Sequence, residues 1–340
     1  MQLKGQPKRL VDYRNLGAEE LGGIYESLLE LVPRFDPVER TFTLENLAGN
    51  ERKTSGSYYT PTSLIDLVLD TALDPLLDAA EREKDAEAAL LGLTVCDPAC
   101  GSGHFLVAAA RRLAERLAIA RTGEVDPSPV HQQQALYDVI SRCIYGVDLN
   151  PMAAELAKVS LWIEALQPGR PLSFLDAHIK VGNSLLGTTP ALLAAGIPDG
   201  AFTPIEGDDR KHTSALKKRN AAERSGQGEL FGVDAVDPGN RALREEVRRI
   251  GGVAALSLAD VHLQEQRFRA LEGSEEMRAA LFEADAWCAA FVQRKVPGAP
   301  AITQSVLTTA LDAVDPAVRR EVDELAARHR FFHWHLEFPE

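Results

Sequence analysis

The stretch VCDPACGSGHFLVAAARRL, residues 95 to 113, places an acid, a proline and two close glycines between an apolar run and a helical pattern. Strand, tight turn and helix in that order build a pocket for a small ligand. Asp97 falls at the strand end, and Gly101 and Gly103 permit backbone conformations and close approach that a side chain blocks. A helix beginning near Phe105 aims free N–H groups and its positive dipole end at an anionic group. The pattern departs from a dinucleotide fingerprint, because its third glycine position is Leu106 and no acid follows at a strand end about 20 residues on. It is also no phosphate loop, since no Gly-Lys-Ser/Thr follows. Alone, the two glycines read equally as an ordinary strand-to-helix turn.

Three further stretches carry groups of the same kind. In IYGVDLNPMAAELAKVSLWIEAL, residues 144 to 166, Asp148 stands at the tip of a second strand. A carboxylate there can accept hydrogen bonds from both hydroxyls of a ribose. Leu149 reads either as packing for an adenine ring or as core. Asn150 and Pro151 read as a helix cap and first turn. In KVGNSLLG, residues 180 to 187, Asn183 offers a donor and an acceptor that suit an adenine edge, or simply turns a loop. In RKTSGSYYTPTSLI, residues 52 to 65, Tyr58, Tyr59 and Thr60 precede a helix and could wall a ligand, although each tyrosine alone reads as packing.

The positioning elements follow from hydrophobic pattern. Short buried strands at 93–95 and 143–147, each followed by a turn and a helical pattern, predict an α/β fold with a parallel sheet, and 178–186 reads as a third strand and its exit loop. Apolar residues Leu21, Ile24, Leu28, Leu29 and Val32 predict a helix over 16–32, and Thr62 or Ser63 caps a second one. Residues 1–55 read as an N-terminal helical region, 56–196 as the ligand-binding core, 197–240 as a flexible polar insertion, and 241–340 as a helical segment. The insertion holds a basic cluster, Arg210, Lys211, His212, Lys217, Lys218 and Arg219. It reads as a solvated loop or as a contact for a nucleic-acid backbone.

Composition narrows the class. The net charge of −13 argues against a surface that grips nucleic acid everywhere, since phosphate binding relies on Lys and Arg. The four cysteines have the spacing of neither a disulfide framework nor a paired zinc site. No apolar run is long enough for a membrane span, and the N-terminus lacks a signal-peptide core, so a cytoplasmic location is expected. His329, His333 and His335 have metal-like spacing but no nearby cysteine to complete a set, and read as packing and surface groups.

Together and in order, TSGSYYTP, DPACGSGHF, GVDLNP and GNSLL resemble the gamma class of S-adenosylmethionine-dependent DNA adenine-N6 methyltransferases. The type is the large one found in fused restriction–modification enzymes and phage-exclusion methylases. LGGIYESLLEL and the terminal FFHWHLEFPE resemble segments of the same family. The resemblance implies a Rossmann-like class I methyltransferase sheet and S-adenosyl-L-methionine as cofactor. It implies that Tyr58, Tyr59, Thr60 and Pro61 line the methionine end, and that Asp97, Ala99, Gly101, Gly103 and Phe105 form the cradle. Asp148 then holds the ribose, with Leu149 and Asn183 toward the adenine. The implied partner is double-stranded DNA.

The family also implies an Asn or Asp followed by Pro-Pro and Tyr or Phe, which polarises the amino group of a flipped adenine and stacks on its ring. No such tetrapeptide occurs in the chain. In the family it follows a segment like HWHLEFPE, and this chain stops at Glu340. The expectation is therefore an incomplete sheet whose first strand is an exposed edge. The chain would be a fragment inactive alone, completed by a downstream part or companion chain that also carries DNA specificity. The alternative is a catalytically dead truncated protein that binds the cofactor or only a partner. A nicotinamide dehydrogenase is disfavoured by the absent third glycine, and no nuclease signature is evident.

Overall fold

The computed structural model describes residue 23 and residues 31–37, 40–46, 60–167, 175–227, 245–246, 249 and 257–338. The chain divides into two compact units, Met1–Ile179 and Lys180–Glu340. The division falls inside the stretch 56–196 expected as one core.

The first unit opens with an antiparallel hairpin of β1 (Leu31–Asp36) and β2 (Thr41–Asn46), in which Phe35 faces Phe42. Within the expected N-terminal helical region over 1–55, these two segments are strands instead, and the rest, Gly23 apart, lies almost wholly outside the described residues. Leu31 and Val32, assigned above to a helix, begin β1, and of that helix only Gly23 is otherwise described, in helical conformation. The alternation in LVPRFD and TFTLEN is the period-2 pattern of a strand. Pro33 is tolerated because a two-stranded hairpin has only edge strands.

Helix α1 (Thr62–Val68) starts behind Pro61, whose extended conformation makes it the N-cap in place of Thr62 or Ser63. A π turn (Leu69–Leu73) joins it to α2 (Asp74–Glu81). Pro75 in the first turn of α2 has no N–H to continue the α-helical ladder, and the widened turn absorbs the mismatch. Ile65, Leu69, Leu73 and Leu77 recur every fourth residue and are buried in one core with Leu106, Leu113 and Leu117. Each such buried side chain contributes roughly 1.5–3 kcal/mol. Helix α3 (Ala86–Leu91) is capped by Asp85, which accepts from the Ala88 N–H at 3.0 Å.

Next comes β3 (Val95–Asp97), then α4 (His104–Thr122), α5 (Pro129–Ile140), β4 (Ile144–Asp148), α6 (Pro151–Ala165) and β5 (Ile179–Val181). The sheet order is β3-β4-β5, with β3 parallel to β4 and Asp97 opposite Gly146. β3 is thus an edge strand among the described residues, and Cys96 at its centre is exposed. Arginines of α4 make an ionic ladder with the preceding helices. Arg112 meets Asp66, Asp70 and Asp74, Arg116 meets Asp78 and Glu81, and Arg121 meets Glu87. Exposed pairs of this kind are worth little singly, but in series they fix the register of one helix on another.

The second unit is helical. Helix α7 (Pro190–Ala195) precedes α8 (Arg210–Gln227), α9 (Leu258–Glu272), α10 (Glu275–Val292), α11 (Gln304–Thr308), α12 (Pro316–His329) and the short α13 (Trp334–Glu337). Ile197, Phe202, Leu216, Trp287, Ile302, Val322 and Leu325 form its core. Residues 210–227, expected within a flexible insertion, are an ordered helix with Thr213, Leu216 and Asn220 buried. The physical reason is polar satisfaction. Asn220 donates to the Ile197 carbonyl at 2.8 Å and accepts from the Gln304 N–H at 2.8 Å. Glu223 accepts from the Ser305 N–H at 2.9 Å. A helix can dock through such bonds with few apolar residues.

Candidate functional site

Two carboxylates meet at the ends of adjacent parallel strands. Asp97 is the last residue of β3 and accepts from the Ala99 N–H at 2.9 Å. Asp148 is the last residue of β4, and each of its oxygens holds a different loop. Oδ2 accepts from the Gly101 N–H at 2.8 Å, and Oδ1 accepts from the Asn150 N–H at 2.7 Å. The loop from Pro98 to Gly103 is stapled to β4 a second time, because Cys100 N–H donates to the Val147 carbonyl at 2.9 Å.

Gly103 has φ 84° and forms the N-terminus of α4. A Cβ there would lie 3.0 Å from the Ala157 Cα, so both the conformation and the space require glycine. Gly146 was not singled out from the sequence. A Cβ on it would lie 2.8 Å from Leu106 and 3.1 Å from Cys100, so its bare backbone is what lets the glycine loop lie down on β4. The signal was present: a glycine in the middle of a buried strand marks close approach of another segment.

Burial pushes the Asp97 carboxyl above its ordinary value, the Ala99 N–H opposes, and the Asp148 carboxylate adds to the rise. The folded chain therefore binds this proton more tightly than the unfolded chain. The resulting stabilisation is complete below about pH 4 and is lost as pH rises through the raised value. Asp97→Asn removes that neutral-pH penalty and keeps an oxygen for the Ala99 N–H. Its Tm at neutral pH should be equal to or above that of the wild type in a thermal melt. A clear drop in Tm would show that the ionised carboxylate stabilises the fold instead.

The other residues singled out fall as follows. Tyr58 and Tyr59 lie outside the described residues. Thr60 and Pro61 are exposed just ahead of α1. Ala99 is exposed, Gly101 has φ 53°, and Phe105 is partly buried against the core of the first unit. Leu149 is 44% exposed, which removes the pure core reading. Asn150 caps α6, accepting from the Met152 N–H at 3.0 Å, with Pro151 in the first turn.

Asn183 belongs to the second unit. Its Oδ1 accepts from the Leu185 N–H at 3.2 Å, and its own N–H donates to the Arg330 carbonyl at 2.7 Å. A non-local bridge pairs it with Phe331, and the Trp334 indole donates to the Ser184 carbonyl at 3.0 Å. The GNSLL and FFHWH segments thus fold on each other. His333 is buried, with Nε2 2.9 Å from Asp285 and Nδ1 3.2 Å from the Thr188 N–H. His335 Nδ1 lies 3.1 Å from the Thr188 carbonyl, and His329 stacks on Phe331 at 5.8 Å.

Comparison with known proteins shows what the chain is similar to. Residues 40–187 match the family described as N-6 DNA Methylase. The chain is 34% identical over 151 residues to the adenine-specific methyltransferase PglX of Streptomyces coelicolor, covering 42% of this chain and 11% of that one. It is 25% identical over 216 residues to a Methanocaldococcus jannaschii protein named as a type II restriction enzyme and methyltransferase, covering 51% of this chain and 17% of that one. The methylase subunit of the type I restriction enzyme MjaIX of the same organism is 33% identical over 117 residues, with 34% and 15% covered. The chain therefore resembles N6 DNA methyltransferases of restriction–modification type, and it spans less than a fifth of the length of these relatives. No solved structure matches it. Among the described residues, no helix is long and apolar enough to cross a membrane.

Proposed function

We propose that the first unit is the S-adenosyl-L-methionine cradle of a site-specific DNA adenine-N6 methyltransferase. It would be built as part of a Rossmann-like class I sheet and serve a restriction–modification or phage-defence system. The supporting observation is the pair of carboxylates at adjacent strand ends, with the glycine loop bonded to one of them, inside the stretch that matches the N-6 DNA methylase family.

The residues present fit that cofactor. A carboxylate has about four acceptor sites, of which at Asp148 the Gly101 and Asn150 N–H groups use two, leaving capacity for two ribose hydroxyls. The N-terminus of α4 would offer its positive dipole end to the methionine carboxylate. Exposed Leu149 offers apolar surface to the adenine, and Thr60 and Pro61, with Tyr58 and Tyr59, would enclose the methionine end. Bound S-adenosylmethionine supplies a sulfonium methyl group for direct transfer to an exocyclic amino nitrogen.

The chain contains no Asn/Asp-Pro-Pro-Tyr/Phe, so the residues that would polarise the target amino group are not among its own. The 340-residue chain should therefore bind S-adenosylmethionine in calorimetry, show no heat with NAD, and transfer no radiolabelled methyl group to double-stranded DNA. NAD binding would refute the cofactor assignment, and methyl transfer by the purified chain would refute the division of labour.

A further inference from the structure

Helix α8 carries six Arg or Lys residues and one Glu, in a chain whose net charge is −13. These cations are not scattered. Arg210–Lys211 and Lys217–Lys218 are two adjacent pairs separated by seven residues, two helical turns, and so lie on one side. All four are exposed, with only Ser214 and Ala215 also exposed between the pairs, and Thr213 and Leu216 are buried beneath. Among the described residues Arg210, Lys211 and Lys218 make no ion pair, while Lys217 reaches Asp199 at 4.0 Å.

Three neighbouring acids are committed elsewhere. Asp208 is bound to Lys295, Asp209 caps the first turn of α8 through the His212 N–H, and Glu223 holds Arg219 and the Ser305 N–H. The helix is also held firmly from behind. Arg224 donates to the Ile197 carbonyl and to Asp199, beside the Asn220 bonds already described. A helix about 27 Å long thus turns a row of four cations outward, three of them without an ion pair among the described residues.

We propose that this face of α8 docks the phosphate backbone of double-stranded DNA. The inference rests on the methyltransferase reading for the identity of the polyanion; the cations and their spacing are independent of it. Such a contact positions a duplex without reading its sequence. Four cations on one ordered face fit repeated phosphates better than a single anionic ligand, which needs convergent donors rather than a row.

The test uses the full chain and a random-sequence duplex, with the affinity followed against salt concentration. Arg210→Gln, Lys211→Gln and Lys218→Gln together remove three charges and retain helix-favouring side chains. The slope of log affinity against log salt should become shallower by about 2.7, at about 0.9 per lost phosphate contact. Circular dichroism of the variant checks that the helix persists. An unchanged slope and affinity would overturn the proposal, as would a wild-type chain with no affinity for duplex at about 50 mM salt. S-adenosylmethionine calorimetry on the same preparations separates the two readings. Cofactor binding with an unchanged salt slope sinks the docking face alone, whereas a changed slope without cofactor binding sinks the cradle alone.

Discussion

Asp148→Ala is expected to weaken S-adenosylmethionine binding by about a hundredfold or more. Two hydrogen bonds to a charged acceptor, at roughly 1.5–3 kcal/mol each, exceed the 2.8 kcal/mol or so that two decades require. The substitution also frees the Gly101 and Asn150 N–H groups, so part of the loss comes through the loop. Asp148→Asn separates the contributions. It keeps the size and one acceptor oxygen, and should hold the fold while binding cofactor weakly. Calorimetry reads both variants, with a thermal melt as the control for folding. Wild-type affinity in Asp148→Ala would show that no ribose rests on this carboxylate.

Asp208→Ala should cost the second unit about 3–5 kcal/mol, the range for removing one partner of a buried ion pair. Lys295 is fully buried, and its ammonium lies 3.8 Å from Asp208. Asp208 also accepts from the Lys295 N–H at 2.9 Å and the Ile205 N–H at 3.1 Å. Burial alone would raise its carboxyl, but those N–H groups and the Lys295 charge outweigh burial and hold it below its ordinary value. Burial also pushes Lys295 down, with Asp208 opposing. The stability contributed by Asp208 is present above its unfolded value and lost as pH falls through the depressed one. Urea unfolding followed by tryptophan fluorescence reads the change, since Trp287 and Trp334 lie in this unit. Lys295→Met in the Asp208→Ala background should recover much of the loss by removing the stranded cation. A loss below about 1 kcal/mol in Asp208→Ala would place the pair among ordinary surface bridges.

What was legible in the sequence was local. Asp97 and Asp148 sit at strand ends as an apolar run followed by an acid and a turn predicts. Asn150 and Pro151 start a helix because capping depends on neighbouring residues alone. The hairpin was hidden because Pro33 and charged residues interrupt a short alternation, while the helical spacing upstream runs into it. Helix α8 was hidden for a different reason. Its buried face is held by Thr213, Asn220 and Glu223 bonding to residues as distant as Ser305, and composition cannot distinguish that from a solvated loop. The pairings Asn183–Phe331 and His333–Asp285 join segments with no shared local pattern.

The two oxygens of Asp148 bear on how this site can change over evolutionary time. One side chain anchors the glycine loop, the start of α6 and, in our reading, the ribose. A substitution aimed at admitting a different nucleotide would disturb the loop geometry in the same step. Specificity for the sugar is thereby tied to foldability of the pocket, and drift in cofactor choice has to begin at positions such as Leu149, whose side chain carries no such second duty in the backbone network.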